Sequence, residues 1–268
     1  FRRVLFRSKN GLTIELKGEV ISRPYIEMTI VIMQYFGAEV NWEGSTIVVL
    51  PLDKAKFNNQ KSFFVEADWS AASYWYGIAA LAKEADITLY GLEKNSLQGD
   101  AIVQEIYKDF GVETTYVSGG IRLIKKPNFS INESELKIDF ITCPDIAQTV
   151  AVTCASLNIK AQFIGLKTLR IKETDRISAL QTELNQLGYN VEVDGDELTI
   201  LSSIAELDLF SLKKPIKTYN DHRMAMAFAP LGSVNAIQIE DESVVIKSYP
   251  KFWEDLQHVG FDIMNVNV

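Results

Sequence analysis

LGYNVEVDGDELTI, at residues 187–200, carries the end of a helix and a complete β-hairpin in one short stretch. Gly188 follows a run with helical periodicity, and glycine readily adopts the left-handed backbone with which many helices end. Asp194-Gly195 lies between two β-branched runs, which is the pattern of a tight turn joining two strands. The stretch therefore predicts a helix that ends at a glycine and is followed by an antiparallel hairpin.

The same pattern returns along the chain at intervals of roughly 75 residues. The other copies are FGAEV at Gly37, FGVET at Gly111 and VGFDI at Gly260. The first two are followed by predicted hairpin turns at Glu43-Gly44 and Gly119-Gly120. A fixed interval of this length indicates a fold assembled from repeated structural units.

A second landmark recurs with a similar interval, because Asp68, Asp145 and Asp221 each precede a small, apolar helical segment. Aspartate is a favoured N-cap, so the simplest interpretation is that all three cap helices. Together the landmarks describe a unit of about 75 residues with two helices and about four strands. We predict an α/β (or α+β) fold of repeated units.

Composition excludes several classes of function. The apolar fraction is 47% and the net charge is −8, which is typical of a soluble globular protein and unsuited to non-specific nucleic-acid binding. Two cysteines and two histidines without metal-ligand spacing predict no metal site. No apolar run has the length of a membrane span, no signal peptide is recognisable, and the low cysteine content fits a reducing cytoplasm.

The beginning of the chain has an unusual composition. Residues 1–8, FRRVLFRS, match the conceptual translation of a sequencing adapter, and an ordinary basic strand is the alternative interpretation. The repeat begins in mid-unit near Ser22, and a new unit begins near Val65 to Asp68. We therefore predict a non-native segment at 1–8, the last repeat of a first domain at 9–66, and a second domain at 67–268.

Charged residues are concentrated at predicted helix starts. The clusters are Ser22-Arg23-Pro24-Tyr25, Lys172–Arg176 (KETDR), Tyr219–Met226 (YNDHRMAM) and Lys247 before Tyr249-Pro250. Each cation taken alone is more simply a surface ion-pair partner. Their recurrence at helix N-termini, where positive charge opposes the helix dipole, favours a bound anion such as phosphate or carboxylate.

These motifs resemble those of the 5-enolpyruvylshikimate-3-phosphate (EPSP) synthases. The resemblance is carried by KETDR, YNDHRMAM, SRPYI at residues 22–26, EADWSAASY at 66–74, SLQGD at 96–100 and CPD at 143–145. It extends from Gly11 to about Phe261. It implies two domains, each of three βαβαββ units arranged as an inverse α/β barrel, with the first domain incomplete here.

The resemblance also implies a reaction. The enolpyruvyl group of phosphoenolpyruvate would be transferred to the 5-hydroxyl of shikimate 3-phosphate, with release of phosphate, in the pathway to chorismate and aromatic amino acids. It implies no cofactor, no nucleic-acid or membrane partner, a monomer at full length and a cytoplasmic location.

Individual roles follow only from the matched motifs. The implied catalytic residues are Asp145 as base, Glu173 in proton exchange at the phosphoenolpyruvate methylene, and Lys247. The implied contacts to phosphoenolpyruvate are Arg176, Arg223 and Lys247. The implied contacts to shikimate 3-phosphate are Ser22, Tyr25, Asp145, Thr168 and Lys172. His222 is assigned a supporting role. We expect Asp145, Glu173, Arg176, Arg223 and Lys247 to converge on one face.

Two alternatives stay open at this point, namely a UDP-N-acetylglucosamine enolpyruvyl transferase and a non-catalytic binding module of the same fold. We also expect the chain by itself to be inactive, since parts of the resembled family's active site precede it. In the same way we predict that the helix containing Ile30, Met33 and Phe36 leaves an apolar face uncovered.

Overall fold

The computed structural model describes residues 10–51, 62–127, 129, 135–203 and 214–266. The predicted non-native segment at 1–8 lies outside these residues. The chain divides into two compact units between Glu66 and Ala67, except that Asn95–Gly99 belong to the first unit. Across the described ranges, no helix combines the length and apolarity that a membrane span requires.

Seven α-helices and ten strands are formed by the described residues. The helices are α1 (Arg23–Tyr35), α2 (Trp69–Leu81), α3 (Val103–Ile106), α4 (Ala147–Ser156), α5 (Arg176–Gln186), α6 (His222–Phe228) and α7 (Phe252–His258). The strands are β1 (Leu12–Glu15), β2 (Val40–Glu43), β3 (Thr46–Val49), β4 (Asp86–Tyr90), β5 (Val112–Val117), β6 (Gly120–Lys125), β7 (Leu136–Asp139), β8 (Ala161–Ile164), β9 (Tyr189–Asp194) and β10 (Glu197–Ser203). Short 3₁₀ turns at Pro144–Ile146, Lys167–Ile171 and Glu242–Lys247 carry residues of the site.

The first unit packs α1 against a three-stranded antiparallel sheet of order β1-β3-β2. Its small core consists of Met33, Ala38, Val40, Ile47 and Val49. The prediction that Ile30, Met33 and Phe36 leave an apolar face uncovered is therefore wrong for Met33, which is 3% exposed. The β2–β3 hairpin that follows α1 packs over Met33. Ile30 is half-buried against the same core.

In the second unit three helices lie inside and the strands lie outside them. One sheet has the order β4-β6-β5 and is antiparallel, while the other has the order β7-β8-β10-β9 with only the β7–β8 pair parallel. Helices α2, α4 and α6 are buried on nearly every side and pack on one another, α2 on α4 and α4 on α6. The predicted inverse α/β arrangement is confirmed.

The predicted helix ends are confirmed, and all three predicted turns are shifted by one residue, the one predicted at Gly119-Gly120 being formed by Ser118 and Gly119. Gly188 has a φ of 91°, and the equivalent glycines at 37, 111 and 260 are also left-handed. Asp194 pairs with Glu197 across the hairpin, so the two turn residues are Gly195 and Asp196 rather than Asp194-Gly195. The β2–β3 turn is shifted in the same way.

One of the three predicted caps is not a cap. The Asp68 carboxylate accepts from the N–H of Ser70 at 2.8 Å, and that of Asp221 accepts from the N–H of Arg223 at 2.8 Å. Asp145 instead lies inside the 3₁₀ turn Pro144–Ile146, whose N-cap position is occupied by Cys143. Its carboxylate is therefore available for other contacts.

Candidate active site

The site lies in the second unit, where four backbone segments bring charged side chains together. These segments are the 3₁₀ turn Pro144–Ile146, the residues that precede and begin α5, the start of α6, and the end of the 3₁₀ turn Glu242–Lys247. Helix starts present free N–H groups and the positive end of the helix dipole, which favours anions.

Arg176, the first residue of α5, is the buried centre of the site, with 1% of its surface exposed. Its guanidinium donates twice to Asp221, from Nε to Oδ2 at 2.6 Å and from Nη2 to Oδ1 at 3.2 Å. It also donates to Glu173 at 2.7 Å and to Asp145 at 3.2 Å. A planar guanidinium with several fixed donors suits such a shared position.

The Asp145 carboxylate is held among three cations. Its Oδ1 is 3.2 Å from Lys172 Nζ and 3.2 Å from Arg176 Nη1, and its Oδ2 is 3.3 Å from Arg223 Nη2. Burial raises the pKa of Asp145, but Arg223, Lys172 and Arg176 lower it by more, so the pKa lies below its ordinary value. Asp145 is therefore an ionised carboxylate at neutral pH.

Glu173 and Lys247 form an ion pair beside Arg176. The hydrogen bond from Lys247 is the main cause that lowers the pKa of Glu173 to about 2, and burial opposes the shift. Glu173 is thus ionised here, and Lys247 is the member of the pair that carries a proton. The ammonium of Lys247 remains largely exposed, which leaves it accessible to a ligand.

Arg223, near the start of α6, is fixed by two further acceptors. Its Nη1 lies 3.3 Å from the backbone oxygen of Asp145 and 3.4 Å from the hydroxyl of Tyr74. Burial lowers the pKa of Arg223, while Tyr74 and the carboxylates of Asp145, Asp100 and Asp68 raise it by more. Burial also raises the pKa of Tyr74 to about 12, so the phenol stays neutral beside a permanently charged guanidinium.

His222 is buried next to these groups, with Nδ1 3.9 Å from Asp221 Oδ1. Burial and then Arg223 lower the pKa of His222, so its imidazole is neutral at neutral pH. Within the described part of the chain its Nδ1 has no hydrogen-bond partner. His222 therefore lies beside the Asp221 carboxylate.

The other predicted residues are Ser22, Tyr25 and Thr168. Ser22 and Tyr25 belong to the first unit, at the start of α1, where the Ser22 carbonyl accepts from the Tyr25 N–H at 3.0 Å. Thr168 lies in the 3₁₀ turn Lys167–Ile171, and its Oγ1 is buried without a hydrogen bond to any described residue.

The structure confirms that Asp145, Glu173, Arg176, Arg223 and Lys247 converge, and it adds residues that the motifs did not predict. The spacing predicts that Asp221 caps a helix, yet its carboxylate also accepts two hydrogen bonds from Arg176. Tyr74 adds a hydroxyl to Arg223 from a position 149 residues earlier. The signal for Asp221 was its place inside YNDHRMAM, whereas Tyr74 stands in a motif without an assigned role.

The arrangement is suited to a ligand with several negative charges. Four cations, Lys172, Arg176, Arg223 and Lys247, meet three carboxylates, Asp145, Glu173 and Asp221. The excess of positive charge can bind phosphate and carboxylate groups, while ionised Asp145 and protonated Lys247 can act as base and acid. Within the described ranges, no group of three or more His, Cys, Asp or Glu could hold a metal ion.

Comparison with solved structures defines the fold class. An EPSP synthase from Acinetobacter baumannii superposes with a TM-score of 0.72 at 22% identity, covering 97% of this chain and 59% of that one. The enolpyruvyl transferase NikO from Streptomyces tendae gives 0.62 at 14% identity, covering 96% and 57%. The fold is that of the enolpyruvyl transferases.

Sequence comparison gives the family. The family model for EPSP synthase (3-phosphoshikimate 1-carboxyvinyltransferase) matches residues 4–256, so the chain belongs to the EPSP synthase family. The 3-phosphoshikimate 1-carboxyvinyltransferases of Bacteroides fragilis and Methanospirillum hungatei are 48% and 35% identical to it, over 95% and 93% of the chain. The chain spans 60% and 56% of the lengths of these relatives.

Proposed function

We propose that the protein transfers the enolpyruvyl group of phosphoenolpyruvate to the 5-hydroxyl of shikimate 3-phosphate and releases phosphate. The observation that carries this proposal is the convergence of Asp145, Glu173, Arg176, Arg223 and Lys247 on one ion-pair network. Membership of the EPSP synthase family supports the choice of substrates.

The proposed reaction begins with addition. Asp145 accepts the proton of the 5-hydroxyl as the oxygen attacks C2 of phosphoenolpyruvate, and C3 receives a proton to become a methyl group. Lys247 is the proposed proton donor, because Glu173 is held ionised beside it. Elimination then breaks the bond from C2 to the phosphate oxygen, and the leaving phosphate takes the proton held by Asp145. A proton returns from C3 to Lys247, which restores the double bond, the ionised Asp145 and the protonated Lys247.

Substrate binding is assigned to the cations and to the start of α1. Arg176, Arg223 and Lys247 are proposed to hold the carboxylate and phosphate of phosphoenolpyruvate. Shikimate 3-phosphate is proposed to contact the remaining residues of the predicted set, namely Ser22, Tyr25, Asp145, Thr168 and Lys172. His222 is proposed to support Asp221 and Arg223.

The organisation proposed for the protein follows the family. Residues 9–66 are proposed to be the last repeat of an N-terminal domain and residues 67–268 a C-terminal domain. A cytoplasmic location and a monomeric state are parts of the same proposal.

A chimaera tests the proposal. This chain replaces the matched segment of the Bacteroides fragilis relative, and phosphate release from phosphoenolpyruvate is measured with and without shikimate 3-phosphate. We expect release that depends on shikimate 3-phosphate. In the Asp145→Asn chimaera we expect turnover to fall by about 10²- to 10⁴-fold, while shikimate 3-phosphate still binds, since the amide cannot act as a base.

Other outcomes would overturn the proposal in distinguishable ways. Phosphate release that depends on UDP-N-acetylglucosamine would indicate the sister enolpyruvyl transferase. A folded chimaera that binds both substrates without releasing phosphate would indicate a binding module. Unchanged turnover in the Asp145→Asn chimaera would remove Asp145 from the role of base.

A further inference from the structure

Glu183 is a buried carboxylate that none of the site motifs contains. It lies on α5, two helical turns after Arg176 and therefore on the same face of the helix, and it is 1% exposed. Its Oε1 accepts from the hydroxyl of Tyr219 at 2.7 Å, and its Oε2 accepts from the backbone N–H of Lys217 at 3.1 Å. Both donors lie in the segment that leads into α6.

The segment held by Glu183 has an unfavourable backbone. Tyr219 and Asn220 are consecutive residues with a φ of 55° each. Asparagine tolerates the left-handed region, but a bulky aromatic residue is an outlier there and needs contacts that hold it in place. The hydrogen bond to Glu183 fixes the far end of the Tyr219 side chain. Burial and Glu183 together raise the pKa of Tyr219 to about 12, so its hydroxyl remains a donor.

The strained turn leads directly into residues of the site. Asp221 follows Asn220, its N–H donates to the carbonyl of Thr218 at 2.9 Å, and its carboxylate caps α6. The same carboxylate receives two bonds from Arg176 on α5. Helix α5 thus contacts this segment at two points. Its first residue, Arg176, donates to Asp221. Two helical turns later, Glu183 accepts from Tyr219 and Lys217.

An apolar side chain would fill the Glu183 position without the cost of burying a carboxylate. The carboxylate is instead placed between two donors of one strained turn. We propose that Glu183 is a positioning residue, which holds the turn at residues 217–221 and thereby aims Asp221 and Arg223 at the anion-binding site. This inference deepens the proposed function and rests on it for the identity of the anion.

The test uses the 268-residue chain with Glu183→Gln. The amide keeps the size of the side chain but offers one acceptor oxygen to two donors, and its NH₂ group faces the second donor. We expect the dissociation constant for phosphoenolpyruvate, measured by calorimetry, to rise by about tenfold. We also expect faster hydrogen exchange at residues 217–223.

Asn185→Asp is the matched control. Asn185 lies on the same helix and exchanges two hydrogen bonds with the backbone of Val191, at 2.8 and 3.0 Å, away from the turn. A comparable loss of stability is expected in this variant, with unchanged phosphoenolpyruvate affinity and unchanged exchange at 217–223. Tyr219→Phe should reproduce part of the Glu183→Gln effect and add little to it in the double variant.

Different results would contradict the positioning role of Glu183 and the proposed function. If the wild-type chain binds phosphoenolpyruvate and Glu183→Gln binds it equally well, Glu183 is not a positioning residue. The same holds if exchange at 217–223 is unchanged in Glu183→Gln, or if the control alters affinity equally. If the wild-type chain binds neither phosphoenolpyruvate nor inorganic phosphate, the proposed anion site is wrong, and hydrogen exchange still decides whether Glu183 holds the turn.

Discussion

The Asp145 carboxylate lies against the same cations that a substrate anion would contact, so the two compete for them. It lies within 3.3 Å of Lys172, Arg176 and Arg223, which are the cations assigned to the two substrates. The carboxylate lowers the positive potential at these side chains. An anion bound to these cations offsets part of their positive charge. The pKa of Asp145 then rises, and the carboxylate becomes a stronger base.

Removal of the Asp145 charge should therefore strengthen phosphate binding to this chain. For Asp145→Asn we expect the dissociation constant for inorganic phosphate to fall by about tenfold in calorimetry, since one competing negative charge is lost near the cations. The control is Asp196→Asn on the β9–β10 turn, which removes an equal charge from its pair with Arg170. Phosphate binding no tighter in Asp145→Asn than in this control would contradict the interpretation.

The pair of Glu173 and Lys247 should leave a signature in the pH dependence of stability. The pKa of Glu173 falls from its ordinary 4.5 to about 2 in the folded chain, chiefly through the Lys247 hydrogen bond. A depressed pKa contributes stability that is present above pH 4.5 and is lost as the pH falls toward 2. The Glu173→Gln variant lacks this contribution at every pH.

Urea unfolding of the wild type and Glu173→Gln at several pH values provides the measurement. The difference in unfolding free energy should be constant above about pH 5 and should shrink between pH 4.5 and 2. Lys247→Met serves as control, because without its partner Glu173 should titrate nearer its ordinary pKa. A difference that does not vary with pH would show that Glu173 is not held ionised by Lys247.

At this scale the motifs predicted which charged residues of the second unit meet but not how they pair. Asp145, Glu173 and Arg223 were predicted from their motifs, and the structure brings them together. The pairing of Arg176 with Asp221 joins residues 45 positions apart, and that of Arg223 with Tyr74 joins residues 149 apart. Linear spacing contains no information about which side chains meet after folding, so these contacts required the structure.

At the scale of helices and strands, the sequence predicts the structure correctly where a single residue determines the backbone conformation. Gly188 ends α5 in the left-handed conformation, as its position predicts. The exact hairpin residues were less predictable, since the turn is fixed by the strand pairing of Asp194 with Glu197. Asp145 shows the limit of capping rules, because Pro144 and a 3₁₀ turn displace it from the cap position.

The two true caps should differ in their contribution to stability. Asp68 caps α2 from an exposed position, so Asp68→Ala should lower the unfolding free energy by about 1 kcal/mol. Asp221 both caps α6 and neutralises buried Arg176, so Asp221→Ala should cost about 3 kcal/mol or more. Asp221→Asn, which keeps a capping oxygen, should retain the cap and still lose most of this stability. Urea denaturation of the three variants checks the order, and equal losses at the two caps would contradict it.

At the scale of the whole molecule, the repeat predicted the architecture, since each glycine and hairpin marks one unit. The cover of α1 was not predictable from periodicity, because the helix pattern does not specify its packing partner. The structure shows that Met33 is buried by the hairpin of its own repeat. Each compact unit has a separate core, and the described core of the first unit contains only five buried apolar residues, whereas that of the second is far larger.

Because the cores are separate, we expect the two units to lose structure independently. Met33→Ala removes a large side chain from the small core, a change that typically costs about 2–5 kcal/mol. It should therefore accelerate hydrogen exchange at residues 12–49 and leave exchange in β8, β9 and β10 unchanged. Leu198→Ala, in the buried part of β10, is the matched substitution in the second unit and should give the opposite distribution. Mass spectrometry of exchanged peptides resolves both regions in one sample. If Met33→Ala accelerated exchange equally in both regions, the chain would unfold as one cooperative unit. The two compact units would then not unfold independently.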